Sequence, residues 1–229
     1  MPNHNIFDKW TEQSAYLLGF WYADGHIEAY AKRGKRYKRF GIDNTNKQIM
    51  VDIGQLLDRS PLFRAKKNPK WKDQYRIVFH SEKLFDYCYK IIGTTQKSKQ
   101  GNIPIVPKKF FRHFVRGFFD GDGSIHITTY KNRHNKDTSE LRTSFSAGND
   151  TKDMLEKLRD MIREHIPIGK RKAVGKISRK IAFGQYDSAL LCEWMYRDAT
   201  IFIERKKAIW YMADKTKLLG SKKFFSNKV

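Results

Sequence analysis

Two segments of the chain end in the same residue types at the same offsets. One reads GFWYADGHI, from Gly19 to Ile27, and the other GFFDGDGSI, from Gly117 to Ile125. Each closes an apolar run with Asp followed by Gly: Asp24 in the first and Asp122 in the second, 98 residues further on. Small residues recur four positions apart in both, Gly19 with Ala23 and Gly117 with Gly121. On a helix that spacing puts both on one face. Two such faces let helix backbones approach closely. Helices paired in this way bring Asp24 and Asp122 side by side at their C-terminal ends. Carboxylates there face the negative end of the helix dipole and repel one another. A divalent cation between them relieves both costs. Oxygen ligands of this kind suit Mg²⁺, which keeps several waters and takes a phosphate oxygen as a further ligand.

The elements that must carry these residues can be read on either side. Thr11 is placed to cap a helix running through SAYLLGFWYADG, with Glu12 favourable in its first turn. A second such helix follows NIPIVP and runs through KKFFRHFVRGFFDGDG. After the first come HIEAYA, a basic run, RFGIDNTNKQ, a helix-like IMVDIGQLLD, a second basic stretch RAKKNPKWK, YRIVFH and the apolar EKLFDYCYKI. After the second come SIHITT, a polar loop, LRTSFSAGND, TKDMLEKLRDMIREH, the basic KRKAVGKISRK, IAFGQYDS and LLCEWMY. The order in both is helix, strand, strand, helix, strand, strand, helix. The spacing predicts two fused copies of one α+β unit of roughly 100 residues, too long a period for a solenoid. We expect halves at 1–93 and 108–229 with a linker at 94–107, where Gly101, Pro104 and Pro107 follow Gly93.

The chain has 229 residues, with 46 Lys and Arg against 24 Asp and Glu, a net charge of +22. The excess runs through both halves and is not a tail. A folded domain this basic is expected to meet a polyanion, since neutralising phosphates releases condensed counterions. In the first half the positive charge lies at Lys32, Arg33, Lys35, Arg36, Lys38 and Arg39, then at Arg64, Lys66, Lys67, Lys70, Lys72 and Arg76. In the second it lies at Arg133, Arg142, Lys170, Arg171, Lys172, Lys176, Arg179 and Lys180. Strand alternation puts Tyr37, Arg39 and Gly41 on one face and Lys38, Phe40 and Ile42 on the other. Tyr37 and Arg39 are the better candidates for base contacts, while Arg33 and Lys35 sit near a turn.

LLGFWYADG (17–25) and VRGFFDGDG (115–123), each leading into a basic strand pair, resemble the two copies of the LAGLIDADG motif in single-chain homing endonucleases. The resemblance runs from about Ser14 to Tyr211. Tyr22 stands where the motif's name has its first Asp. The resemblance implies that the paired helices form the domain interface, through Gly19, Ala23, Gly117 and Gly121. It implies a four-stranded antiparallel sheet in each half, the two making a saddle over double-stranded DNA. Asp24 and Asp122, with the preceding Ala23 and Gly121, would hold two or more Mg²⁺ ions, with Mn²⁺ able to substitute. A staggered double-strand break in a non-palindromic site of ~20 base pairs would follow, each sheet tracking about one helical turn. Lys97 and Lys206 resemble the pocket lysines that stabilise developing phosphate charge, with Arg205 or Lys207 able to take the role of Lys206. Aligning GIDNTN with SFSAGN pairs Asn44, a residue able to order water in the pocket, with Ala147; a slip by one would place Ser146 there instead.

Other readings keep the fold and drop the cutting: an RNA maturase acting on intron RNA, or a DNA-binding regulator. Retention of both Asp24 and Asp122 favours the nuclease, and maturase activity could coexist with it. Glu204-Arg205-Lys206 forms an E-x-K string without a matching Asp arrangement, and no His is set as an HNH site requires. Cys88 and Cys192 lie in apolar stretches, as buried free thiols do. No run of ~18 apolar residues or secretory signal occurs, so the expected setting is intracellular, in a bacterial cytoplasm or an organelle, for a monomer. The short stretch before the first motif suits an intron-encoded or free-standing enzyme better than an excised intein.

Overall fold

The computed structural model describes residues 1–65, 72–93, 103–148, 152–175 and 178–213. Helix α1 (Glu12–Asp24) starts at a reciprocal cap: Ser14 N–H donates to Thr11 Oγ1 at 3.0 Å and Thr11 N–H to Ser14 Oγ at 2.9 Å. It runs directly into β1 (Gly25–Lys32) and β2 (Lys35–Asn44). Arg33 and Gly34, both at positive φ, make the two-residue turn between them. Then follow α2 (Lys47–Leu56), β3 (Leu62–Arg64), β4 (Gln74–His80) and α3 (Glu82–Ile92). The strands form an antiparallel sheet in the order β1-β2-β4-β3.

The second half opens with α4 (Lys108–Asp122), β5 (Gly123–Lys131), β6 (Asp137–Gly148) and α5 (Lys152–Arg163). It continues with β7 (Ser178–Phe183), α6 (Gln185–Tyr196) and α7 (Glu204–Met212). Two features depart from the predicted repeat. The second sheet has three strands, β5-β6-β7, among the described residues, where four were expected. A single bridge, Val174 to Lys180, stands where β3 stands in the first half. Gly175, at φ 126°, breaks the extended backbone beside it. The other departure is α7, which has no counterpart among the described residues of the first half.

The helices cover one face of each sheet. Trp21 of α1 stacks on Phe40 of β2 at 6.0 Å, and Phe118 of α4 on Phe145 of β6 at 5.7 Å. Aromatics contribute heavily to this core, where edge and offset contacts add to area burial. Cys88 and Cys192 are both buried. Among the described residues, no helix is long and apolar enough to cross a membrane.

Candidate active site and nucleic-acid interface

Helices α1 and α4 touch backbone to backbone. A Cβ at Gly19 would lie 1.9 Å from the Phe114 carbonyl oxygen, and one at Gly117 would lie 2.0 Å from that of Tyr16. Any side chain at either position would therefore separate the helices. At Gly121 a Cβ would fall 2.3 Å from Ala23 Cβ and 3.2 Å from Asp24 Oδ2. The Asp24 carboxylate thus lies across the helix contact, against the residue preceding Asp122.

Asn44, near the end of β2, donates from Nδ2 to Asp24 Oδ2 at 2.6 Å. Its own oxygen accepts the Asn46 N–H at 2.7 Å, which fixes which way the amide points. In the second half Gly123 pairs with Phe145 as Gly25 pairs with Ile42. Counting along the strands places Ala147 at the station of Asn44, and Ser146 one residue away at the station of Asp43.

Lys206, on the first turn of α7, lies beneath the end of α4. Its ammonium donates to the carbonyl oxygens of Phe119 at 2.6 Å, Asp120 at 2.8 Å and Gly123 at 2.6 Å. Phe119 also accepts the Gly123 N–H that closes α4, and Gly123 opens β5, so the ammonium ties the helix end to the strand that follows. Burial lowers its pKa to about 8, against the pull of Asp120, Asp24 and Asp122. Asp120, also buried, accepts from the Tyr16 hydroxyl at 2.8 Å, the Tyr196 hydroxyl at 3.2 Å and the Ile203 N–H at 2.9 Å. Burial raises its pKa despite these donors. The start of α7 is therefore stapled to the end of α4 in both directions, by Asp120 to Ile203 and by Lys206 to the α4 carbonyls.

A second buried group joins the halves one turn earlier. Arg116, fully buried, donates to Glu12 Oε1 at 2.8 Å, to the Met195 carbonyl at 2.9 Å and to the Ile201 carbonyl at 3.0 Å. Thr200 N–H also donates to Glu12, at 3.0 Å. Burial raises the Glu12 carboxyl, but the Thr200 N–H and Arg116 leave it below its ordinary value. Sequence reading missed Glu12, Arg116 and Asp120 as a network. The available signal was the alignment of the copies, which pairs Arg116 with Leu18 and Asp120 with Tyr22. Polar residues there replace apolar ones on a helix otherwise buried.

The site residues divide by face. Tyr37, Arg39 and Arg76 lie on the helix-free face of the first sheet, where Arg39 sits 4.7 Å over the Tyr30 ring and Tyr30 stacks on Tyr37 at 5.3 Å. Lys32, Arg33, Lys35 and Arg36 are exposed at the β1–β2 turn, and Arg64 and Lys72 near the outer edge. Lys38, expected to meet DNA, is on the helix side: it bonds Asp86 of α3 at 2.5 Å and lies over the Phe85 ring. Alternation dictates this, since Lys38 shares the face of buried Phe40. In the second half Arg142 pairs with Glu140, Arg171 lies 4.0 Å from Asp187, and Arg179 donates to the Gly175 carbonyl. Arg133, Lys170, Lys172 and Lys180 are exposed. Lys66, Lys67, Lys70, Lys97 and Lys176 lie outside the described residues.

Among the described residues, no cluster of three or more His, Cys, Asp or Glu could hold a metal. The pair Asp24 and Asp122 still fits a hard cation that needs few protein ligands. Its donors are oxygens, and both carboxylates lie close enough to raise the pKa of Lys206.

The description "LAGLIDADG-like domain" fits residues 11–93, and "LAGLIDADG endonuclease" fits residues 115–194. The fold is similar to the I-LtrWI LAGLIDADG homing endonuclease bound to target DNA, with TM-score 0.59 and 12% identity over 95% of this chain and 99% of that one. It is similar to I-SmaMI bound to cleaved DNA, with TM-score 0.59 and 11% identity over 89% of this chain and 88% of that one. I-SmaMI on an uncleaved DNA target with calcium ions gives TM-score 0.56 and 11% identity over 89% of both chains. No curated protein matches the chain in sequence. With one matched domain holding Asp24-bearing α1 and the sheet after it, and a second holding the Asp122-bearing end of α4 and the sheet after that, this chain belongs to the LAGLIDADG family.

Proposed function

We propose that the protein is a site-specific DNA endonuclease. It makes a staggered double-strand break in a long, non-palindromic target by divalent-metal-dependent phosphodiester hydrolysis, and the break promotes homing of the gene or intron that carries it. The observation that carries this reading is the position of the Asp24 carboxylate. It lies against α4 beside Asp122, at the helix ends from which two sheets with cationic residues extend. Residues 1–93 and 108–229 act as the two DNA-holding halves of a monomer, joined by 94–107. Each sheet follows about one turn of the duplex, so the target spans ~20 base pairs.

Asp24 and Asp122 would hold the cation, Mg²⁺ or in its place Mn²⁺, together with the preceding Ala23 and Gly121. When bound, the cation supplies an activated water and neutralises charge on the phosphate. Asn44 sets the direction of the Asp24 carboxylate. Lys206 holds the end of α4 and offsets negative charge around both acids. Lys97 is a further candidate for stabilising charge on the leaving oxygen.

The test is selection of cleaved sites from a randomised DNA library with Mg²⁺, followed by Asp24→Asn and Asp122→Asn on the selected target. Each variant should lose double-strand cleavage by at least ~10²-fold while still binding that DNA. Near-normal cleavage by either variant overturns the assignment. Binding confined to folded intron RNA, with no DNA cut, would transfer the protein to the maturase reading.

A further inference from the structure

Asp43 of β2 and Arg76 of β4 are direct cross-strand partners on the helix-free face of the first sheet. Arg76 donates from Nε to Asp43 Oδ1 at 2.5 Å and from Nη2 to Oδ2 at 3.0 Å. These two parallel bonds occupy one edge of a planar fork and remove its freedom to rotate. Asp43 is braced from the other neighbouring strand as well. His26 Nδ1 stands 3.4 Å from Oδ2, and the His26 ring covers Gly41, where a Cβ would come within 2.3 Å of it. The carboxylate is the inner partner, 18% exposed, and the guanidinium the outer, 34% exposed. The other edge of the fork, Nη1 and the second hydrogen of Nη2, meets no acceptor among the described residues. The result is a pair of donors whose direction is set before any ligand arrives.

In the major groove a guanine presents two adjacent acceptors, O6 and N7. Adenine sets a donor beside its N7, cytosine offers a donor, and thymine offers one acceptor beside a methyl group. A fixed two-donor edge therefore matches guanine and opposes the others. We propose that Arg76, oriented by Asp43, reads a single guanine in the half of the target held by the first sheet. The inference rests on the DNA-binding reading above. Asn44, the next residue along β2, bonds Asp24, so the guanine belongs at the inner end of that half-site, near the cut. The second sheet has no equivalent: the same stations hold Ser146 and Lys180, and a lysine is a point charge without a fork. No guanine is required at the symmetry-related position.

The test compares sites cleaved from a randomised library by the wild type, Arg76→Lys and Asp43→Ala, with binding measured to the selected target and its single-base variants. Wild type should require guanine at one inner position of one half-site. Replacing that guanine should weaken binding by about 10- to 100-fold. Arg76→Lys should reduce that preference to a few-fold while leaving the other positions unchanged. Asp43→Ala should relax the same position to an intermediate degree, because the fork is then free to turn. A defined target whose base preferences do not respond to Arg76→Lys overturns the inference alone, and marks Arg76 as a phosphate contact. Wild-type protein that selects no DNA sequence overturns the DNA reading and this inference with it.

Discussion

The acidic helix ends of the two halves are supported in different ways. At α1 the support comes from the sheet: Asn44 reaches across to hold Asp24. At α4 the sheet offers Ala147, and support comes from beneath, where Lys206 meets three main-chain carbonyls. The difference traces to the segment after α6. Its polar backbone runs against α4 and needs partners there, since a buried unpaired amide or carbonyl is costly. Arg116 meets the Met195 and Ile201 carbonyls, and Asp120 meets the Ile203 N–H. At the same stations α1 carries Leu18 and Tyr22, and packs through apolar contact. A duplicated element has kept the spacing that its chemistry requires, while its supports have diverged with what each copy must cover.

The sharpest way to break this comparison is to remove the support under α4. Lys206→Met removes the ammonium from the Phe119, Asp120 and Gly123 carbonyls, and leaves Arg116 as the cation acting on buried Asp120. It should cost about 3–5 kcal/mol, as breaking a buried charge arrangement does. Urea unfolding measures the loss. Native-state hydrogen exchange should show it concentrated in α7 and the end of α4, with the start of α1 little affected. A loss below about 1 kcal/mol would mean that the staple contributes little.

A smaller effect separates the halves by pH. His113 of α4 sits 2.9 Å from Arg116, with Arg112 on its other nitrogen at 3.3 Å and Glu12 at 3.6 Å. Burial, followed by Arg116, lowers its pKa from 6.5 to about 4, with Glu12 pulling the other way. Between those values the unfolded chain binds a proton that the folded chain does not. Stability from this group is therefore complete above pH 6.5 and falls as pH drops towards 4. The unfolding free energy should decline less steeply across that window in His113→Asn than in wild type. Equal slopes would show that the imidazole charges without penalty.

Much of this arrangement was legible because the chain states it twice. Gly19, Ala23, Gly117 and Gly121 could be placed at a helix contact from spacing alone, and aligning GIDNTN with SFSAGN paired Asn44 with Ala147 as the ladders do. Lys38 shows the limit of reading by charge. Alternation put it with Phe40, yet it was grouped with the DNA contacts because its neighbours are basic. The Glu12–Arg116 pair joins residues 104 positions apart, and nothing local in either names the other. The fourth strand of the second sheet was expected because the order of elements repeats. Among the described residues that place holds a single bridge, Val174 to Lys180, beside Gly175 at positive φ.

The smallest expected effect tests the other side of the comparison. Asn44 gives Asp24 a hydrogen bond to a charged acceptor, and Ala147 can give Asp122 none. Such bonds contribute about 1.5–3 kcal/mol where the acceptor is ionised, and less where water replaces the donor. Under the nuclease reading the two strands should be cut at unequal rates, with a nicked intermediate in a supercoiled-plasmid time course. Asn44→Ala should slow one strand by roughly tenfold, the equivalent of 1.4 kcal/mol, and leave the other within about twofold. Ala147→Asn supplies the converse, a side-chain amide at the station matching Asn44, and should bring the two rates closer together. If strand-resolved rates are equal in the wild type and both substitutions leave them equal, the sheet-borne amide does not bear on cutting. The asymmetry between the halves would then concern only how they fold.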